Sequence, residues 1–140
     1  MNTRMKQMIY GGGLALGLVA CTQATIPPVA QGQATYEQYC AQCHGAGGRG
    51  DGPLAGSLPG GRAPDLTGIS AANGGTFPAL DVMNQIDGYF REGNHASLMP
   101  EFGEILADGP TVILEGADGS ETPTPALLAD LAAYIETLQR

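Results

Sequence analysis

The segment that decides the fold is residues 39–50, which read YCAQCHGAGGRG. Its first half contains C-x-x-C-H, a pattern in which two cysteines and a histidine attach a haem covalently. Its last six residues, GAGGRG, match G-x-G-x-x-G, the glycine pattern of dinucleotide-binding loops. The two patterns require different surroundings, so the flanking sequence must decide between them.

The glycine pattern lacks the context that a dinucleotide site requires. Such a loop follows a buried strand and opens a helix, whose N-terminus carries the pyrophosphate. Here the loop follows a predicted helix at 32–44, and no apolar segments supply the strands of a parallel sheet. With 22 glycines in 140 residues, a chance match is expected. The sequence therefore argues against a nucleotide.

The C-x-x-C-H pattern is more specific, for a geometrical reason. On a helix, Cys40, Cys43 and His44 lie within about 100° of arc, so two thiols can bond to the haem while the imidazole reaches iron. A thioredoxin-like redox pair would need a βαβ setting, and a zinc site would need four ligands at known spacing. The chain has two histidines, and zinc would have to recruit His95 at an unusual separation.

Helices and long loops are expected around this motif. A second helix is predicted at 79–92, with Gly93 as its stop, and a third near the end of the sequence, with Thr124 as its cap and Pro125 in its first turn. Segments 45–63 and 107–123 are predicted as long loops, the second with a hairpin around 116–119. The apolar face of the third helix comprises Leu127, Leu128, Leu131, Tyr134, Ile135 and Leu138.

The N-terminus has the pattern of an export signal. Two basic residues precede an apolar run in residues 1–20, which is too short to span a membrane. Residues 18–21, LVAC, resemble a bacterial lipobox, in which Cys21 becomes the lipid-bearing first residue. Thr22 then favours the outer membrane, with the protein facing the periplasm. The alternative is ordinary secretory cleavage beside a coincidental cysteine.

Residues 21–31 are predicted to form a lipid-anchored linker, and residues 32–140 a single domain. Without the signal, four arginines remain against 14 acidic side chains, which leaves ten net negative charges and no lysine. This surface repels nucleic acid and favours redox partners with a basic docking patch. The alternative is a solvated acidic surface with no meaning for partners.

Three further motifs are similar to those of the class I cytochromes c. Gly32 and Tyr36 stand where that family has a glycine and an aromatic residue before the haem motif. Residues 130–134, DLAAY, match the family pattern D-L-x-A-Y in the C-terminal helix, against which the aromatic packs in relatives. Residues 64–68, PDLTG, match a loop in which the carbonyl of Pro64 orients the histidine ligand.

The resemblance also implies a second axial ligand. Residues 99–103, MPEFG, are similar to the family's M-P-x-F-G, in which the methionine sulfur binds iron opposite the histidine. Pro100 biases Met99 towards an extended conformation, and a neutral thioether raises the reduction potential. His95 is the rival ligand, and an open position is the third alternative. Met83, which no proline follows, is predicted to be a core residue.

Together these features imply an all-α class I cytochrome c fold, with three main helices around one covalent haem c. The iron ligands would be His44 and Met99, and the thioethers would form at Cys40 and Cys43. The expected function is one-electron transfer between periplasmic or membrane redox proteins, with no catalytic residue, by a monomer or a subunit of a redox complex. The alternatives are a haem sensor or small-molecule-reacting protein with an open sixth position, and a fixed subunit of a dehydrogenase or oxidase.

Overall fold

The computed structural model describes residues 28–89, 98–115 and 119–140. The predicted signal peptide, Cys21, Thr22 and His95 lie outside these residues. No helix in the described ranges has the length and apolar character needed to cross a membrane. The helices there are α1 (Pro28–Tyr39), α2 (Ala41–His44), α3 (Ile69–Ala72), α4 (Ala79–Asp87), α5 (Gly103–Leu106) and α6 (Ala126–Thr137), with a short 3-10 turn at Ala55–Ser57.

Helix α1 begins at Pro28, four residues before the predicted start at Gly32. A proline is favourable in a first turn, because its missing N–H would have no partner there and its φ is already helical. Residues 28–31 thus belong to the helix and not to the predicted extended linker 21–31. The predicted helix 32–44 is also divided, since α1 ends at Tyr39 and α2 starts after Cys40.

The closest approach of two long helices is that of α1 and α6. A Cβ on Gly32 would lie 1.9 Å from the backbone oxygen of Asp130, so only glycine allows this crossing. One turn along α1, the Tyr36 ring packs against Tyr134 with ring centroids 5.3 Å apart. Tyr36 is completely buried. The packing of the aromatic residue against the last helix, implied by the family resemblance, is therefore confirmed.

Helix α4 is shorter than predicted. It ends at Asp87 because Gly88 adopts a left-handed conformation with φ 96° and ψ 2°, and its N–H closes the last turn on the Asn84 carbonyl. This arrangement is a common glycine stop for helices. The predicted end at Gly93 is therefore wrong, and Gly93 itself lies outside the described residues.

The segment after α5 contains two paired strands, as the predicted hairpin requires, so the described fold is mostly helical with a small sheet and not purely all-α. Strands β1 (Thr111–Glu115) and β2 (Glu121–Pro125) pair antiparallel, with Val112 opposite Thr124. Thr124 does not cap α6 as predicted. It belongs to β2, and its hydroxyl donates to the Thr122 carbonyl at 3.2 Å, while Pro125 occupies the cap position.

One core joins the long helices and α5. The apolar face predicted for α6 is confirmed, since Leu128, Leu131 and Ile135 are buried and Leu127, Tyr134 and Leu138 pack against them. Met83 is buried in this core, as predicted. The remaining buried members of the cluster are Tyr36, Cys40, Ile86, Phe102, Leu106 and Ala132.

The loop at 64–68 is closed by hydrogen bonds within itself and to the residues after α6. The Asp65 carboxylate accepts from the Thr67 amide at 2.8 Å and from the Thr67 hydroxyl at 2.6 Å. Arg140 lies alongside, with an ion pair to Asp65 of 3.2 Å. The hydrogen bonds from Thr67, together with the positive charge of Arg140, hold the pKa of Asp65 below its usual value.

We expect Gly32→Ala to destabilise the protein by at least 1–3 kcal/mol, which is roughly the cost of overpacking a tight contact. The added methyl group would overlap backbone atoms of α6, and neither helix can yield without moving its neighbours. The measurement is thermal unfolding of the purified protein. Gly56→Ala is the matched control, because nothing lies within 4 Å of a Cβ at that position. Equal unfolding temperatures for both variants would contradict this account of the crossing.

We expect the pKa of Asp65 to rise in Thr67→Val and to stay low in Thr67→Ser, which keeps the hydroxyl donor. A carboxylate with a lowered pKa stabilises the fold above its unfolded pKa of about 3.9, and this stabilisation is lost as the pH falls through the folded value. A carboxyl-carbon NMR titration of Asp65 measures the shift. Identical titrations of the two variants would exclude the hydroxyl as its cause.

Candidate functional site

The C-x-x-C-H residues lie on a single turn, although two helices meet there. The Cys40 amide donates to the Tyr36 carbonyl at 2.8 Å, and the His44 amide donates to the Cys40 carbonyl at 2.9 Å. Helical hydrogen bonding therefore continues through the break between α1 and α2. Cys40 and His44 are buried, Cys43 is half-buried, and the two thiols are not joined in a disulfide.

The glycine-rich loop folds back onto this turn. The Gly50 amide donates to the His44 carbonyl at 2.8 Å, the Gly52 amide to Cys43 at 3.1 Å, and the Leu54 amide to Gln42 at 2.8 Å. A phosphate-binding loop would direct such amides at its ligand. Here they bond to carbonyls at the end of a helix, and this agrees with the sequence argument against a nucleotide.

A Cβ on Gly50 would lie 2.0 Å from the backbone oxygen of Ala63. Gly50 also has a φ of 76°, which favours glycine. This close contact brings the loop at 64–68 against the glycine-rich loop. Two further bonds fix the pairing, from the Ala63 amide to Gly50 at 3.1 Å and from the Leu66 amide to Gly48 at 2.7 Å.

The pairing of these two loops gives His44 a defined orientation. Its Nδ1 lies 3.0 Å from the Pro64 carbonyl oxygen. A carbonyl only accepts hydrogen bonds, so Nδ1 is the donor and the lone pair of the neutral ring is on Nε2. The contact between Pro64 and the histidine, implied by the family resemblance, is therefore present. A histidine oriented in this way is suited to bind a metal through Nε2.

Cys40, His44 and Met99 line one cavity of about 230 Å³. Cys43 lies beside it but is not part of its wall. The structure thus brings together three of the predicted haem-binding residues from distant parts of the chain. The other residues of the wall are Leu66, Ile69, Pro78, Asp81, Val82, Gln85, Ile86 and Ile135.

This cavity fits the chemistry of a haem. Most of its wall is aliphatic, as a macrocycle requires, and it presents one imidazole, one thiol and one thioether. Burial and the neighbouring Cys43 raise the pKa of the Cys40 thiol to about 11. In the described ranges no group of three His, Cys, Asp or Glu side chains could hold a metal ion by itself. The set of donors therefore suits haem better than zinc.

Asp81 and Gln85 are site residues that the sequence analysis missed. They lie one turn apart on α4 and both face the cavity. Polar residues on a short amphipathic helix usually indicate its solvent side. The available signal was their spacing of four residues next to apolar Val82 and Ile86, which places all four side chains on neighbouring parts of one helix surface.

A second cavity, of about 360 Å³, lies between α4, β2 and α6. Its wall includes Leu80, Met83, Tyr89 and Leu128, with polar groups such as Asn84. No cysteine or histidine contributes to it. The larger cavity is therefore not the one that the haem motif faces.

The sequence matches the family model described as cytochrome C oxidase, cbb3-type, subunit III, over residues 27–110, more than half of the chain. No curated protein and no solved structure matches it. The matched range includes the single C-x-x-C-H motif and the other predicted haem-binding residues. The chain therefore belongs to this family of class I c-type cytochromes, whose chemistry is electron transfer by a covalently bound haem c.

Proposed function

We propose that this protein is a one-electron carrier with a single haem c, ligated axially by His44 and Met99. The observation that carries the proposal is the shared cavity of Cys40, His44 and Met99. Cys40 and His44 come from the turn where α1 meets α2, whereas Met99 comes from the loop before α5, and no local sequence constraint brings Met99 to the other two. When bound, the haem would supply a one-electron iron couple.

Each of the remaining roles belongs to a residue of this chain. Cys40 and Cys43 would hold the ring through thioether bonds, and the short turn between them would fix its edge. His44 would present Nε2, because Nδ1 donates to Pro64. Met99 would offer a soft, neutral sulfur, which favours the reduced state and raises the potential.

The cavity wall would also affect the potential. Aliphatic side chains such as Leu66, Val82 and Ile135 exclude water, and a low dielectric disfavours the extra positive charge of the ferric state. Asp81 acts in the opposite direction, since a carboxylate near the ring favours the ferric state. The exposed Asp81 thus adds a negative charge to a wall that is mostly aliphatic.

Two of the three arginines in the described ranges have side chains that are engaged within the chain itself. Arg62 donates to the Arg49 carbonyl at 2.7 Å, and Arg140 pairs with Asp65 at 3.2 Å. A partner with an acidic docking surface would have to compete with these contacts. We therefore propose redox partners that present a basic patch to the acidic surface of this chain.

A fixed subunit of an oxidase-type complex is the second candidate. The description of the matched family, a subunit of cytochrome c oxidase, supports it. The haem chemistry would be the same, but the protein contacts would be permanent. In either case we propose export, a lipid on Cys21, and attachment to the outer membrane facing the periplasm, as Thr22 favours.

We expect the mature holoprotein to give a low-spin optical spectrum with the weak near-infrared sulfur-to-iron band, and not to react with carbon monoxide. In Met99→Ala the band should disappear and carbon monoxide should bind, because the sulfur no longer blocks the iron. Met83→Leu is the matched control, since Met83 is a core residue outside this cavity. Ready binding of carbon monoxide by the parent protein would favour the sensor or small-molecule-reacting alternative instead.

We expect Cys21→Ser to move the protein from the membrane to the soluble fraction with its haem spectrum unchanged, because only the lipid would attach a free carrier. Fractionation of cells that express each form is the measurement. Retention of Cys21→Ser on membranes together with other redox subunits would favour the fixed-subunit candidate. Retention without such subunits would show that the lipobox interpretation is wrong.

A further inference from the structure

The loop that orients His44 is bonded on two sides. On its inner side, Leu66 and Ala63 bond to the glycine-rich loop. On its outer side, it meets Gln139 and Arg140, which follow the cap residue of α6 and which we call the latch. The loop has no regular secondary structure between Pro64 and Gly68, so these contacts determine where the Pro64 carbonyl lies.

The bonds of the latch are numerous for two residues. The side-chain amide nitrogen of Gln139 donates to the Leu66 carbonyl at 2.8 Å. Its side-chain oxygen accepts from the Ser70 backbone amide at 2.9 Å. The Arg140 backbone amide donates to the Thr67 carbonyl at 3.1 Å. Its guanidinium donates to the Thr67 hydroxyl from Nε at 2.7 Å and also from Nη2.

The hydroxyl of Thr67 is the centre of this arrangement. It accepts from Arg140 and donates to Asp65, so one oxygen joins the latch to the residue that follows Pro64. Thr67 is 3% exposed, whereas the side chains of the ion pair between Arg140 and Asp65 are 57% and 47% exposed. Exposed ion pairs contribute little, while an unpaired buried polar group is costly. The hydroxyl therefore matters more than the ion pair.

We propose that the latch is a positioning device for His44, acting through Thr67, Asp65 and the Pro64 carbonyl. The inference rests on the proposed function, in which His44 binds iron. A carbonyl held firmly on Nδ1 makes the imidazole a more basic ligand, which favours ferric iron. A loosened loop weakens this bond, so the reduction potential rises and the Nδ1 proton becomes easier to exchange.

The test uses the complete holoprotein and two neutral substitutions at one position. Thr67→Val keeps the shape of the side chain and removes its hydrogen bonds, whereas Thr67→Ser keeps the hydroxyl. We expect exchange of the His44 Nδ1 proton, followed by NMR, to become about fivefold faster in Thr67→Val, as expected for the loss of one hydrogen bond. The reduction potential should rise in the same variant. Thr67→Ser should match the parent protein in both.

A second pair of variants tests the latch without changing the buried Thr67, in case Thr67→Val affects folding. Arg140→Ala, at an exposed side chain, should also accelerate the exchange. Arg62→Ala removes the same charge from a guanidinium that bonds to the Arg49 carbonyl instead, and should leave the exchange unchanged.

The outcomes separate the latch from the function on which it rests. A parent holoprotein in which NMR shows that the His44 imidazole does not bind iron would overturn the proposed role of His44 and the latch with it. A low-spin parent in which Thr67→Val equals Thr67→Ser, or Arg140→Ala equals Arg62→Ala, would overturn the latch alone.

Discussion

The close approach of α1 and α6 at Gly32 is the constraint on which the rest of the structure depends. The missing side chain lets the two backbones touch, and Tyr36 can then pack against Tyr134 one turn further on. The Tyr36 hydroxyl reaches beyond the helix and donates to the Gly45 carbonyl at 2.7 Å, inside the core. Tyr36 therefore packs where α1 crosses α6 and also holds Gly45, the first residue of the glycine-rich loop.

The core and the candidate site share their side chains. Cys40, Ile86 and Ile135 belong to the buried cluster and also line the cavity beside His44. A small domain with many glycines buries limited apolar surface of its own. Filling this cavity would add to the same core, so binding and folding are linked by mass action. The apolar wall is therefore part of the stability of the fold, in addition to its proposed effect on the reduction potential.

Local sequence patterns predicted the parts of the fold that depend on interactions between residues close together in the sequence. The C-x-x-C-H turn, the apolar stripe of α6 and the hairpin all have short-range causes, namely helical spacing and turn residues. The predicted end of α4 failed because Gly88 takes the left-handed conformation and ends the helix at Asp87. Thr124 failed as a cap because pairing with β1 engages it in a strand. Both errors arose where tertiary structure selected among several acceptable local signals.

The contacts that hold the loop at 64–68 could not be predicted from local patterns, because they join residues that are far apart in the sequence. Gln139 and Arg140 bond to residues 69 to 75 positions earlier, and no periodicity encodes a contact of that separation. The cavity wall on α4 was missed for a related reason, since the place of the exposed Asp81 beside the cavity depends on where the helix docks. Sequence motifs could propose the iron ligands of this chain, but only the assembled helices define the surroundings of those residues.

The family match covers the proposed haem-binding residues but not the C-terminal elements that pack around them. The matched range, residues 27–110, contains every residue proposed to bind the haem or to contact the histidine ligand. Helix α6, which closes the core, and the latch both lie after residue 110. The chemistry and its support are therefore encoded in different parts of the chain. Under the proposed latch, a substitution beyond the matched range would still act on His44, because Arg140 bonds to both Thr67 and Asp65 in the loop of Pro64.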